Sequence, residues 1–324
     1  MLPTRISDVI ESGSHHPGVA VDAWRIPPGT AVRFERPDPA LRPFITAYAV
    51  LDSHPILFHN HPSWLLGSPA RIWISLNAPD LQVKPRARRT ATLNAAMLIG
   101  PNSIAMPLRS SGGISIVIEL TARGWGRFLD VSAASLRDQV VLLSDHWPAE
   151  WATALVAGLR PCGRGLGVKD ALDRFFLDIL PAPKKDEPLI VRVARIVAAG
   201  EPNQQVSDWH AMVGMGSART LARLCEHYFG FSPKLLQRQV RFMRSLTAMM
   251  LATDPIDFGA VPAGYHDIPH FLRDARQFLG MTARQFVSEE NPYLRAVMRA
   301  RLAVVGSPLV TLDAPHDYER PAVP

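Results

Sequence analysis

The sequence predicts an α+β chain of two domains, β-rich in its first half and all-helical in its second. Three observations predict this. Ile114, Ile116, Ile118 and Leu120 alternate with Ser115, Val117 and Glu119, the period of a strand with one buried face, and Ile72, Ile74 and Leu76 repeat the pattern over Arg71 to Leu76. After Leu120 the apolar spacing becomes helical. Between the two textures lies PAPKKDEP at 181–188, a stretch of proline and mixed charge that marks a linker. A length of 324 residues allows two domains at roughly 150 each, and 47% hydrophobic against 20% charged residues is enough apolar matter for a core.

Residues 1–30 carry little pattern. Residues 31–120 read as short strands broken by Pro, Gly and Asn, hence an antiparallel barrel or sandwich. Helices are predicted at 148–159 and 168–180. In the second, Val168, Leu172, Phe175, Phe176 and Ile179 form one apolar stripe, which either packs on the barrel or joins a second copy of the chain. The linker then divides a first domain, 1–182, from a second, 188–290, with 291–324 as a tail. The second domain reads as helices throughout. Pro188 opens one to Ala199. Ser207 caps 208–213, with Val206 and Ala211 as a hydrophobic staple. Ser217 caps 218–229, and Ser232-Pro233 opens a long helix to 251. Asp254-Pro255 repeats that device for 256–263, where Pro262 is placed to cut the last turn. Asp267 caps 268–279 and Thr282 caps 283–289.

This domain repeats itself at an offset of 50 residues. Gly214-Met215 matches Gly264-Tyr265, Ser217 matches Asp267, Leu221 matches Phe271, Cys225 matches Ala275 and Tyr228 matches Phe278. Gly230-Phe231-Ser232 matches Gly280-Met281-Thr282, and Leu236 matches Phe286. Each copy is a short helix, a glycine turn and a capped longer helix, which is a helix-turn-helix unit. Such a unit places the N-terminal residues of its second helix on base edges in a major groove. Between 217 and 244, Arg219, Arg223, Lys234, Arg238, Arg241 and Arg244 face one acid, Glu226, a net of +5 of the kind that neutralises phosphates. The whole chain is mildly basic, with 35 Lys and Arg against 29 Asp and Glu.

Two strings resemble the AraC/XylS family of bacterial transcription regulators over about 188–290. The first is Ser217 to Leu224 followed by Phe229-Gly230-Phe231-Ser232-Pro233-Lys234. The second is Gly264-Tyr265-His266-Asp267, His270-Phe271, Arg273 and Gly280-Met281-Thr282. The resemblance implies an all-α, seven-helix domain with two helix-turn-helix units that binds double-stranded promoter DNA in a sequence-specific way, and RNA polymerase if the protein is an activator. The DNA contacts fall to Ser217, Arg219, Thr220 and Arg223 in the first unit, Lys234, Arg238 and Arg241 on the connecting helix, and His270 and Arg273 in the second unit. The first unit is expected to contribute more base readout, because Pro269 in the second has no donor for a base and His270 is placed to pack beside Tyr265. Gly214 lies one residue earlier than in the family, Ala275 replaces a large apolar residue, and Ala283 replaces a proline. Gly100-Pro101-Asn102-Ser103 and Gly124-Trp125-Gly126-Arg127-Phe128-Leu129 look like segments of sensor domains fused to such regulators. They imply a cupin-like β-barrel with flanking helices that takes a small-molecule effector or holds a homodimer.

Other readings fare worse. A cupin-type metalloenzyme with an appended helical domain needs a metal triad. His59-Asn60-His61 has the right spacing for two ligands, but no acid follows and Pro62 interrupts the strand, so no metal, cofactor or catalytic residue is expected. The basic run Lys84, Arg86, Arg88 and Arg89 reads as a solvated loop. Gly163, Gly165 and Gly167 follow no strand, so they are not a dinucleotide loop. Trp147 and Trp151 are placed for packing. Two distant cysteines, Cys162 and Cys225, form neither a disulfide framework nor a zinc finger. The longest uncharged run, Thr90 to Leu108, is broken by Gly100, Pro101 and Pro107 and cannot span a membrane, and the first residues lack the apolar core of a signal peptide, so a cytoplasmic address is expected.

Overall fold

The computed structural model describes residues 13–14, 16, 18–20, 23–56, 61–78, 81–85, 90–93, 96–110, 112–200, 204–253, 256–289 and 291–313. Its first part is β-rich and its second helical. The strands are β1 (Gly13–Ser14), β2 (Thr30–Glu35), β3 (Ile45–Ser53), β4 (His61–Leu65), β5 (Arg71–Ser75), β6 (Gln82–Val83), β7 (Ala91–Thr92), β8 (Ala96–Ile99), β9 (Met106–Ser110), β10 (Gly113–Leu120) and β11 (Val140–Leu142). They form a seven-stranded sheet, β1-β2-β3-β10-β5-β8-β11, and a four-stranded sheet, β4-β9-β6-β7. β10 lies central and antiparallel to both neighbours, with Ile118 opposite Tyr48 on β3 and Ile72 on β5.

The strand pattern is correct in place but incomplete in meaning. Ile114, Ile116, Ile118 and Leu120 do share one face. It packs on α1 (Ala122–Phe128), α2 (Ala149–Leu159) and α3 (Gly167–Asp178) through Trp125, Phe128, Leu155, Leu172 and Phe176. The opposite face is buried as well, because the smaller sheet covers it: Val117, Ala49 and Trp73 meet Leu65, Val83 and Leu108. Ser115 and Glu119, expected toward water, are therefore buried. The α3 stripe is spent inside the molecule, with Leu172 and Phe176 fully buried and Phe175 and Ile179 packed against the same core.

The helical part comprises α4 (Glu187–Ala199), α5 (Trp209–Val213), α6 (Ala218–Phe229), α7 (Pro233–Leu251), α8 (Ile268–Leu279), α9 (Ala283–Ser288) and α10 (Pro292–Val305). Two expectations need correction. The described residues of 256–263 form turns rather than a helix; Pro262 and Gly259 remove the backbone donor and the propensity a one-turn helix needs. Residues 292–305, set aside as tail, are a helix opened by Pro292 at its first position and closed by Gly306 in the left-handed region.

The stretch 181–188 is a fixed connection rather than a loose one. The Arg127 guanidinium donates to the Pro181 carbonyl and pairs with buried Glu187, which Arg123 also bonds at 3.0 Å. Burial alone would raise the Glu187 pKa, but hydrogen bonds from Arg127, the Lys184 amide and Arg123 outweigh it and hold the carboxyl below its ordinary value. A side chain at Gly126 would reach within 2.9 Å of the Tyr228 ring, so α1 approaches α6 only because glycine stands there. Further on, the Ala105 amide donates to the Phe278 carbonyl at 2.7 Å and Gln239 donates to the Asn102 carbonyl at 2.9 Å. No helix among the described residues is long and apolar enough to cross a membrane.

Candidate nucleic-acid interface

The two units are built by the same local chemistry. Ser217 Oγ accepts the Thr220 amide at 3.2 Å and Asp267 accepts the His270 amide at 2.6 Å, so each second helix starts on a side-chain cap. Gly214, Gly264, Gly230 and Gly280 all take positive φ, from 77° to 85°, closing the elements on either side of α6 and α8. Gly214 ends α5 normally, despite its early position. Leu221, Cys225 and Tyr228 bury one face of α6, and Phe271, Ala275 and Phe278 bury the matching face of α8. Ala275 is fully buried, in a core where Phe242 lies tilted to Phe271 and Phe278 at 5.8 and 5.3 Å between ring centroids.

The outward faces differ. On α6, Ser217, Arg219, Thr220 and Arg223 are all exposed, with Arg219 and Arg223 one turn apart; Lys234, at the start of α7, is exposed too. Arg238 and Arg241, expected on phosphates, are partly exposed and engage a buried carboxylate. Asp274, with no exposed surface, pairs with Arg238 at 2.6 Å and Arg241 at 3.0 Å and accepts the Tyr265 hydroxyl at 2.9 Å. Arg241 also lies over the Tyr265 ring at 4.6 Å. Burial would raise the Asp274 pKa, but the three donors outweigh it and hold the carboxyl below its ordinary value. Arg244 is likewise engaged, donating to the Ala199 and Gly200 carbonyls at the end of α4. α7 runs between the units, so Arg238, Arg241 and Arg244 meet protein groups while Lys234 at its start stays exposed.

On α8, Arg273 is exposed and His270 half-buried. The imidazole sits edge-on to Tyr265 at 5.4 Å, and its Nε2 accepts from Arg241 at 3.0 Å. Desolvation and the Arg241 charge push its pKa down, in keeping with a ring nitrogen that accepts a hydrogen bond. Arg276, exposed three residues after Arg273, shares its face and escaped the sequence reading; the i, i+3 spacing was the available signal.

Residues 211–289 match a family model described as a helix-turn-helix domain. The chain carries an AraC-type helix-turn-helix domain at its C-terminal end. That domain is a DNA-binding unit of the kind found in transcription regulators. No curated protein matches the chain in sequence. Among solved structures, an apo variant of ToxT from Vibrio cholerae is 14% identical, covering 78% of this chain and 98% of its own, at a TM-score of 0.43. An unsaturated fatty acid bound form of wild-type ToxT is 12% identical, covering 71% and 91%, at 0.41. A further ToxT structure is 11% identical, covering 80% and 97%, at 0.41.

Where the AraC-type domain meets the sheets there is a cavity of about 570 Å³. Pro69 and Ala70 from the sheet part, Ile190 and Val197 from α4, Val240 from α7 and Val310 beyond α10 give it apolar walls. Arg36 and Arg42 reach its lining; Arg36 donates to the Val304 and Val305 carbonyls and Arg42 to the Pro37 carbonyl. Among the described residues no group of three or more His, Cys, Asp or Glu could hold a metal. The His59-Asn60-His61 reading involves His59 and Asn60, and the basic-loop reading Arg86, Arg88 and Arg89, all outside the described residues.

Proposed function

We propose that this protein is a sequence-specific DNA-binding transcription regulator that responds to a small molecule. One observation carries the DNA reading: two capped helices on a repeated scaffold, α6 and α8, each turn a cationic face outward from the first turns, where base edges lie in a helix-turn-helix complex. Ser217, Arg219, Thr220 and Arg223 form the primary reading face. Arg273, with Arg276 beside it, forms the secondary one. Lys234 contacts phosphate. Arg238, Arg241 and His270 support the second unit from behind through Asp274 and Tyr265.

The regulatory half of the proposal rests on the cavity. Its walls come from both parts of the chain, so an occupant binds with a free energy that depends on their juxtaposition, the requirement for a ligand to shift an arrangement. Apolar walls with Arg36 and Arg42 at the lining favour an apolar molecule bearing one anionic group. In this reading the two sheets are a cupin-like sensor, the binding partner is promoter DNA, and an activator would also meet RNA polymerase. A homodimer would use a surface other than the α3 stripe, which is buried within the chain. The test is selection by the full-length protein from a pool of randomised duplexes, repeated at two salt concentrations. Enrichment of one sequence family over the pool is expected, and an unenriched pool retained only at low salt would mean non-specific binding and would remove the proposal.

A further inference from the structure

α10 begins three residues past the helix-turn-helix match and has two opposite buried faces. Leu294 and Met298, one turn apart, enter the core of the second unit with Phe242, Phe278 and Phe286. Ala296 and Ala300, offset by two residues and so on the other side of the helix, enter the core between the sheets with Val32 and Phe34. Small residues on that side let the helix lie close to β2. Two cations fix its end. Buried Arg301 bonds Glu119, on the central strand, at 2.8 Å, and Asp313 at 2.6 Å. Arg36 donates to the Val304 and Val305 carbonyls at 2.8 and 3.0 Å, where a positive charge meets the negative end of the helix. Beyond Gly306 the chain reaches the cavity: Ser307, Val310, Thr311 and Asp313 line it, and Thr311 donates to the Gly67 carbonyl. At the other end of the helix Arg295 donates to the Val287 carbonyl of α9 at 2.6 Å.

We infer that residues 292–313 are a coupling strap, through which a change at the interdomain cavity reaches the second helix-turn-helix unit, whereas the first unit touches the cavity directly. One rigid helix belongs to both cores, so the second unit shifts against the sheets only if α10 leaves one of them. Its far end is part of the cavity wall. α6 meets the first part without it: Gly126 of α1 lies against Tyr228, and Tyr228 and Phe229 line the cavity themselves. The inference rests on the cavity as effector site for its regulatory meaning, while the mechanical coupling is testable without an effector.

The experiment is amide hydrogen exchange on the full chain, comparing the unsubstituted protein with Arg301→Gln, Arg36→Gln and Val310→Ala. Arg301→Gln is expected to raise exchange about tenfold or more across α9 and α10 with α6 unchanged, since local openings are reported region by region. Arg36→Gln, at an exposed site that leaves the buried pairs intact, gives the same pattern with a rise of about threefold if Arg301→Gln does not fold. Val310→Ala, at the cavity wall, is expected to loosen α9 along with 306–313. Exchange that rises only at 301–313, or equally in α6 and α9, overturns the strap. Failure of the effector reading looks different: the three variants behave as described, yet a panel of apolar carboxylates leaves exchange at the cavity and thermal stability unchanged.

Discussion

Asp274 determines what the basic residues around it do. A carboxylate with no exposed surface and three donors engages Arg238 and Arg241, which stay partly exposed. Asp274→Asn keeps the shape and removes the charge, leaving two guanidinium groups without a counter-ion. Because both keep about a quarter of their surface exposed, the expected loss is about 2–4 kcal/mol rather than the upper end for a sealed pair, read as a lower denaturant midpoint at unchanged slope. The pH dependence has a sign. The ionised form is the one stabilised in the fold, so its contribution is complete above the unfolded carboxylate value of about 3.9 and is lost as pH falls through the lower folded value. The difference in stability between the parent and Asp274→Asn should therefore shrink below about pH 4, and a difference constant from pH 7 to 3 would contradict the ion-pair account. Nothing in the local sequence singles out Asp274. Its partners lie 36 and 33 residues away, and no local period reveals a pairing of that span.

At the scale of the element, caps and glycines carry the repeat. Ser217→Ala removes the acceptor for the Thr220 amide and is expected to cost about 1 kcal/mol, with fraying of the first turn of α6 in exchange. Gly230→Ala places a side chain at φ 82°, 3.0 Å from Pro101, and should cost about 1–2 kcal/mol in a thermal or denaturant melt. These elements were legible because their signals are local: Ser217, Asp267 and Thr282 each precede an apolar spacing of helical period and each accepts the amide three residues on. The failures are equally physical. The second buried face of β10 was invisible because alternation reports which residues share a face, and not whether another sheet covers the opposite one. α10 was passed over because its apolar residues are split between two faces. A fragment of 187–290, which ends before Leu294 and Met298, should expose part of the second unit's core and melt less cooperatively than one of 187–313, as calorimetry of the two would show.

For the whole molecule, the sheets and the AraC-type domain meet through polar and apolar contacts around one cavity, and the outer faces of α6 and α8 remain open. That arrangement divides the cations into two sets, and the division is the central proposal: exposed Arg219 and Arg223 are proposed to read DNA, and Arg238 and Arg241 to hold the second unit together. The direct measurement is affinity of single-residue alanine variants for a panel of single-base operator variants at several salt concentrations, the operator being the sequence enriched from the randomised pool. Arg219→Ala or Arg223→Ala should flatten preference at one or two base pairs by about 1–3 kcal/mol. Arg238→Ala and Arg241→Ala should lower folding stability and leave the salt slope of the remaining folded protein unchanged, since neither guanidinium replaces a counterion on the phosphates. If Arg238→Ala or Arg241→Ala instead reduces the slope by about one at full stability, while Arg219→Ala and Arg223→Ala leave specificity intact, the assignment is contradicted.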